Sequence, residues 1–214
     1  MENKKFDIII FGATSFVGQI MTKYFAENMK DFSPLSWAIA GRSREKLDTL
    51  RSSLGKAFQN LPMIVCDAFD PIKLDELTKS SKVVASTVGP YALYGEELVK
   101  ACAQNGTDYC DLCGEAYWIK DMIQKYNNDA IRSGARIVNC CGFDSIPSDL
   151  GVLVLQEYSK NKFGSYLPRI KLGVEKMKGG ASGGTLASMI QAVIAAKSNP
   201  ALRKEMANPY ILCP

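Results

Sequence analysis

The chain has 214 residues, 47% hydrophobic and 22% charged, with a formal net charge of +4. That length allows one full domain and part of another, and the mild charge, without a dense Lys/Arg run, argues against a nucleic-acid surface. It contains no histidine, which removes His-based triads, His general bases and His metal ligands. Chemistry must come from a cofactor or from Tyr, Ser, Lys, Asp, Glu or Cys. No apolar stretch reaches membrane-spanning length, and Met1-Glu2-Asn3-Lys4-Lys5 runs straight into the first predicted strand. The expectation is therefore a chain without signal peptide or transmembrane segment, in the cytoplasm.

The first predicted strand, Phe6–Phe11, ends in Gly12-Ala13-Thr14-Ser15-Phe16-Val17-Gly18, and a helical pattern follows, with Val17, Ile20, Met21, Tyr24 and Phe25 on one face. Strand, glycine turn and helix form the context of a dinucleotide site. Gly12 allows the tight turn, Gly18 allows close helix packing, and the N–H groups at the helix start can hold a pyrophosphate. Gly12, Thr14, Ser15, Phe16, Val17 and Gly18 are the expected contacts. Ser15 stands where the usual pattern has its middle glycine; its Cβ crowds the approach, while its hydroxyl could donate to a phosphate oxygen.

The second strand is predicted over Leu35–Gly41, with a helix from Ser43 to Leu54. An NAD site places an Asp or Glu at this strand tip to accept from the ribose hydroxyls. Here Gly41 is followed by Arg42, Ser43, Arg44 and Lys46. Loss of the carboxylate makes room for a 2′-phosphate, which Arg42 and Ser43 can bind. The plainer reading is a solvated basic helix start, but cations are unfavourable at the positive end of a helix dipole unless an anion sits there. The cofactor expected is NADP rather than NAD.

The third strand is Met63–Asp67, and Asp67 at its tip either contacts the adenine amine or caps a turn. Asp70-Pro71 reads as N-cap and first-turn proline of a helix to Ser80. The fourth strand, Val83–Ser86, leads into Thr87-Val88-Gly89-Pro90-Tyr91, where Val88, Gly89 and Pro90 would place main chain against the nicotinamide-side ribose. Tyr91 and Tyr94 would line the cleft or simply pack. A helix follows from Gly95 to Gln104, then a strand over Thr107–Asp111, a helix over Ala116–Ser133 and a sixth strand over Arg136–Cys141. The pair Cys110 and Cys113 lacks the further ligands of a zinc site and reads as structural thiols. Gly142–Pro147 then lies on the same sheet edge; Asp144 and Ser145 either touch substrate or nicotinamide, or cap the next helix. This alternation predicts an α/β fold with a Rossmann-like doubly wound parallel sheet.

Beyond Pro147 a helix is expected over Ser148–Tyr158, a linker over 159–166, a strand over 170–174, a glycine-rich loop over 179–184 and a helix over Thr185–Ala196. One strand and one helix cannot bury a core. The division expected is 1–150 for the NADP-binding domain and 151–214 for a connecting helix and an incomplete substrate domain. Pro214 ends the chain without a closing element, as expected of a truncated chain or N-terminal fragment.

Several of these segments resemble one family, the saccharopine dehydrogenase-like oxidoreductases, which include trans-acting enoyl reductases. They are Gly12–Gly18, Ala40–Leu47, Val88–Tyr91 with Tyr94-Gly95-Glu96, Asp111–Glu115, Cys141–Gly151 and Ser182–Thr185. The resemblance covers nearly the whole chain in order. It implies an NAD(P)-binding Rossmann domain, a second α/β domain that closes the cleft, and hydride transfer to C=C, C=N or C=O in a small-molecule substrate. It supplies no catalytic residue, so Tyr91, Asp144 and Ser145 stand as candidates by position. Saccharopine itself lacks the basic anchors it would need. A homodimer through the second domain is left open.

Two alternatives remain. Tyr158 and Lys162 fit the YxxxK pattern of short-chain dehydrogenases, with Ser145 upstream, although Tyr158 falls at the far end of its helix. A non-catalytic NADP-binding module is the other.

Overall fold

The computed structural model describes residues 4–28, 31, 34–176 and 178–213. Met1–Asn3 and Pro214, on which the expectations about the chain's start and end bear, lie outside these residues.

Six strands, β1 (Phe6–Phe11), β2 (Trp37–Gly41), β3 (Met63–Val65), β4 (Ser81–Ser86), β5 (Asp108–Asp111) and β6 (Ile137–Val138), form one sheet in the order β3-β2-β1-β4-β5-β6. Every neighbouring pair is parallel. The crossovers are α1 (Phe16–Glu27), α2 (Arg44–Ser53), α3 (Pro71–Lys79), the single turn α4 (Tyr91–Tyr94), α5 (Glu96–Asn105) and α6 (Ala116–Ser133). Then come α7 (Ile146–Phe163), α8 (Gly183–Ser198) and α9 (Pro200–Met206). This is the Rossmann-like α/β sheet that the alternation predicts.

Side chains alternate across each strand. Ile9 and Phe11 of β1, with Ala38 and Ala40 of β2, enter a layer holding Leu74, Leu77, Leu98, Val99, Trp118 and Met122. Ile8 and Ile10, with Trp37 and Ile39, face the opposite layer with Met21, Phe25, Leu47 and Leu50. Because helices cover both faces, the strands read as unbroken apolar runs. The chain steps away from β1 toward β3 and away from β4 toward β6, so the carboxyl ends of β1 and β4 flank the crevice where such sheets take ligands.

The end of the chain departs from expectation. The linker expected over 159–166 is mostly helix, because nothing stops α7 before Gly164, which takes the left-handed conformation (φ 76°) that ends it. The strand expected over 170–174 is not formed; Leu172 and Val174 are exposed, and no neighbouring backbone pairs with them among the described residues. Helix α9 was not anticipated. Asn199 caps it, accepting from Ala201 N and Leu202 N at 3.1 Å, with Pro200 in the first turn. Among the described residues no helix is long and apolar enough to cross a membrane.

Two glycines that the sequence marks out differ in kind. A Cβ on Gly18 would stand 2.2 Å from the carbonyl oxygen of Gly12, whereas one on Gly41 would meet nothing nearer than 3.7 Å. Gly18→Ala is expected to cost about 1–3 kcal/mol, as overpacking does. Gly41→Ala is expected to be neutral or stabilising by up to about 1 kcal/mol, because the unfolded chain loses freedom. Urea unfolding of the two variants checks both.

Candidate functional site

The turn after β1 is fastened to β4. Gly12 takes a φ of 82°, and its carbonyl oxygen accepts from Ser15 N at 2.8 Å and from Thr87 Oγ1 at 2.9 Å. Ser15 caps α1, its hydroxyl accepting from Gly18 N at 2.9 Å, and it also lies 2.9 Å from Thr87 Oγ1. Thr87 has one hydroxyl proton and its carbonyl partner can only accept, so Ser15 donates to Thr87. The Ser15 proton is thereby committed within the protein. The first-turn N–H groups of Phe16 and Val17, by contrast, have no acceptor inside the helix, and both residues border the crevice.

At the tip of β2, Gly41 is buried, and the atoms nearest to a Cβ there would be Leu47 Cδ2 and Thr14 Oγ1, each at 3.7 Å. The tip of β2 at Gly41 therefore adjoins the Gly12–Ser15 turn. Ser43 caps α2, accepting from Lys46 N at 3.3 Å. Arg44 and Arg51 pair with Asp48, but exposed Arg42 and Lys46 pair with no carboxylate among the described residues. Asp67 closes a turn, its Oδ1 accepting from Phe69 N at 2.9 Å.

Beyond β4, Val88, Gly89 and the cis-linked Pro90 run along the same edge as the Gly12 turn. A Cβ on Gly12 would stand 2.5 Å from Val88 Cγ2. Tyr91 forms part of the cleft wall, but it is 4% exposed and its hydroxyl donates to Ser86 O at 3.1 Å. Burial pushes its pKa far above the ordinary tyrosine value. Tyr94 stacks edge-on against Phe69, with centroids 5.5 Å apart.

A cavity of about 660 Å³ opens beside this edge, between the sheet and helices α8 and α9. Phe16, Leu112, Met189, Ala192, Met206 and Ile211 make much of it apolar, and Ser182, Thr185 and Ser188 bring hydroxyls. Among the described residues its acidic side chains are Glu115 and Asp144, and no Lys or Arg lines it. Asp144 is exposed, with no hydrogen bond or ion pair of its side chain among the described residues. Ser145 occupies the cap position of α7 without making a capping bond.

Two carboxylates that support this edge went unassigned in the sequence. Asp111 is 3% exposed and accepts from Tyr109 OH (2.9 Å), Cys113 N (3.0 Å), Asn139 Nδ2 (2.8 Å) and Cys140 N (3.1 Å). It anchors the loop after β6, where Cys140 holds a left-handed conformation (φ 61°) that is costly outside glycine. Burial raises the Asp111 pKa against the pull of its four donors. Glu115, 6% exposed, accepts from Tyr91 N at 2.8 Å and Ser188 Oγ at 2.9 Å through Oε1, and from Ala92 N at 3.0 Å through Oε2. Their positions in Asp111-Leu112-Cys113-Gly114-Glu115 were visible, but partners more than twenty residues away were not. The thiol of Cys110 is pushed up to about 11 by burial and that of Cys113 further, so both stay protonated at neutral pH.

Residues 8–138 match the family model described as the saccharopine dehydrogenase NADP binding domain. A Mycobacterium tuberculosis relative in the trans-acting enoyl reductase group is 41% identical over 211 residues, which is 99% of this chain and 50% of that one. A trans-acting enoyl reductase of Mycobacterium bovis is 39% identical over 210 residues, 98% of this chain and 50% of the relative. The chain thus spans about half the length of these curated relatives. The apo saccharopine dehydrogenase (L-Glu forming) of Saccharomyces cerevisiae superposes with a TM-score of 0.57 at 20% identity, over 71% of this chain and 31% of that one, a likeness of fold. With the matched segment running from β1 through β6, the chain belongs to the saccharopine dehydrogenase NADP-binding domain family.

Proposed function

We propose that this chain binds NADP(H) along the carboxyl edge of its sheet and serves reduction of a C=C, C=N or C=O bond in a small molecule. The pyrophosphate would lie on the N–H groups of Phe16 and Val17, in a turn shaped by Gly12, Thr14, Ser15 and Gly18. The 2′-phosphate would sit over Gly41, held by Arg42 and Lys46 beside Ser43. Asp67 would border the adenine, and Val88, Gly89 and Pro90 the nicotinamide ribose. Residues 1–150 would form the coenzyme domain, and 151–214 would contribute a wall of the substrate cavity in a cytoplasmic enzyme.

The observation that carries this reading is the tip of β2. Nothing in the packing demands glycine there, yet the side chain is missing and two cations without a carboxylate partner stand beside it. That arrangement suits a phosphate and leaves nothing to accept from a 2′-hydroxyl. Bound NADPH would supply the reducing hydride; the protein's contribution is orientation and exclusion of water.

The cavity lining favours an uncharged, largely apolar substrate, because a dicarboxylate would find no cation there among the described residues. The relatives named trans-acting enoyl reductase support C=C as the first of the three bonds to test. Asp144 and Ser145 remain candidates to touch substrate. Tyr91 borders the cavity, but its hydroxyl donates to Ser86 O, which argues against a proton-donating role. A short-chain dehydrogenase site is not supported. Ser145 and Tyr158 lie near opposite ends of α7, roughly 20 Å apart at 1.5 Å per residue, and Tyr158 is 56% exposed with its hydroxyl on Lys162 Nζ at 2.8 Å. A non-catalytic coenzyme-binding module is the second reading.

Calorimetry with NADPH and NADH tests the coenzyme reading. Arg42→Asp is expected to weaken NADPH relative to NADH by tenfold or more, about 1.4 kcal/mol or above; an unchanged ratio refutes the phosphate site. NADPH oxidation over enoyl, imine and keto substrates separates the enzyme from the module, since binding without turnover favours the latter. Tyr91→Phe is expected to cost about 1 kcal/mol of stability while NADPH affinity is retained, and Tyr158→Phe to leave any turnover intact.

A further inference from the structure

We propose that Glu115 is a positioning residue that couples α8 to the Gly89–Pro90–Tyr91 turn, so that coenzyme bound along the turn also tightens α8 over the cavity. This rests on the coenzyme reading above.

Glu115 lies where β5 passes into α6, beneath the turn and beneath α8. Its carboxylate has no Lys or Arg partner among the described residues; backbone N–H groups and hydroxyls hold the charge instead. Oε1 is shared between Tyr91 N, in the turn, and Ser188 Oγ, on α8. Oε2 takes Ala92 N and, at 3.5 Å, the Tyr117 hydroxyl. Ser188 also approaches the turn directly, since a Cβ on Gly89 would stand 3.8 Å from its Oγ. One oxygen atom thus carries both a donor from the Gly89–Pro90–Tyr91 turn and a donor from the far wall of the cavity.

Buried carboxylates are sensitive to the loss of any donor. If α8 lifts, Oε1 loses Ser188 and pulls differently on Tyr91 N; if the turn shifts, the acceptor for Ser188 moves with it. A second tie, Lys120 Nζ to Glu205 at 3.3 Å, joins α6 to α9, but it is an exposed pair and contributes little. Coupling of this kind is reciprocal: whatever factor α8 seating adds to coenzyme affinity, the coenzyme must return as α8 protection.

Amide hydrogen exchange of residues 186–195, with and without saturating NADPH, reads this directly in the intact chain. Wild type is expected to show exchange slowed roughly five- to tenfold by NADPH. Ser188→Ala, at a half-buried surface position that leaves the sheet untouched, is expected to abolish the slowing and to weaken NADPH by a similar factor. Ser188→Thr, which keeps the hydroxyl, is expected to restore both. Glu115→Gln should behave as Ser188→Ala if it folds, and the serine pair decides the matter alone if it does not. NADPH that binds without slowing α8, or slowing that survives in Ser188→Ala, overturns the coupling and leaves the coenzyme reading standing. Failure of wild type to bind NADPH overturns both.

Discussion

The carbonyl of Gly12 is the point on which the site's geometry depends. It closes the turn by accepting from Ser15 N, takes the hydroxyl of Thr87 just beyond β4, and lies so near α1 that only a glycine fits at position 18. Strand, turn, helix and the neighbouring strand are fixed to one another through that atom. A dinucleotide fingerprint is usually described by what its glycines leave open. In this chain what they bring together matters as much. The serine in place of the middle glycine is absorbed by the same network, because its hydroxyl accepts from the helix and donates to Thr87.

Charge is divided along the carboxyl edge. The β2 end presents Arg42 and Lys46 to solvent without a carboxylate partner among the described residues, whereas the cavity near α8 holds carboxylates, hydroxyls and apolar side chains but no described cation. An anionic ligand gains at the first place and loses at the second. A molecule with a phosphorylated end and a less charged reactive end would therefore have a preferred direction along the edge.

Much of the fold was legible. Apolar runs between glycine turns gave the six strands, and Asp70-Pro71 gave the start of α3, since capping and proline geometry act within a few residues. The same signature, Asn199-Pro200, announces α9 and was passed over. The alternation of Ile170, Leu172 and Val174 looked like a strand, but a strand needs a neighbour, which periodicity does not supply. Polar residues over 159–162 suggested a linker, although Ser, Lys and Asn tolerate a helix until Gly164 ends it. Within the site, residue types at the strand tips pointed to the crevice. The work of Asp111 and Glu115 was hidden, because the donors that tie them to other elements (Asn139 and Cys140, and Tyr91, Ala92 and Ser188) arrive from segments far away in sequence.

The open space above Gly41 bears on how such a protein could change over generations. Because a Cβ there would make only ordinary contacts at 3.7 Å, with Leu47 and Thr14, the backbone position itself accepts the first atom of a side chain. On the reading proposed here, a first step away from the bare tip would not pass through a poorly folded ancestor, while trading one nicotinamide carrier for the other would also involve Arg42 and Lys46.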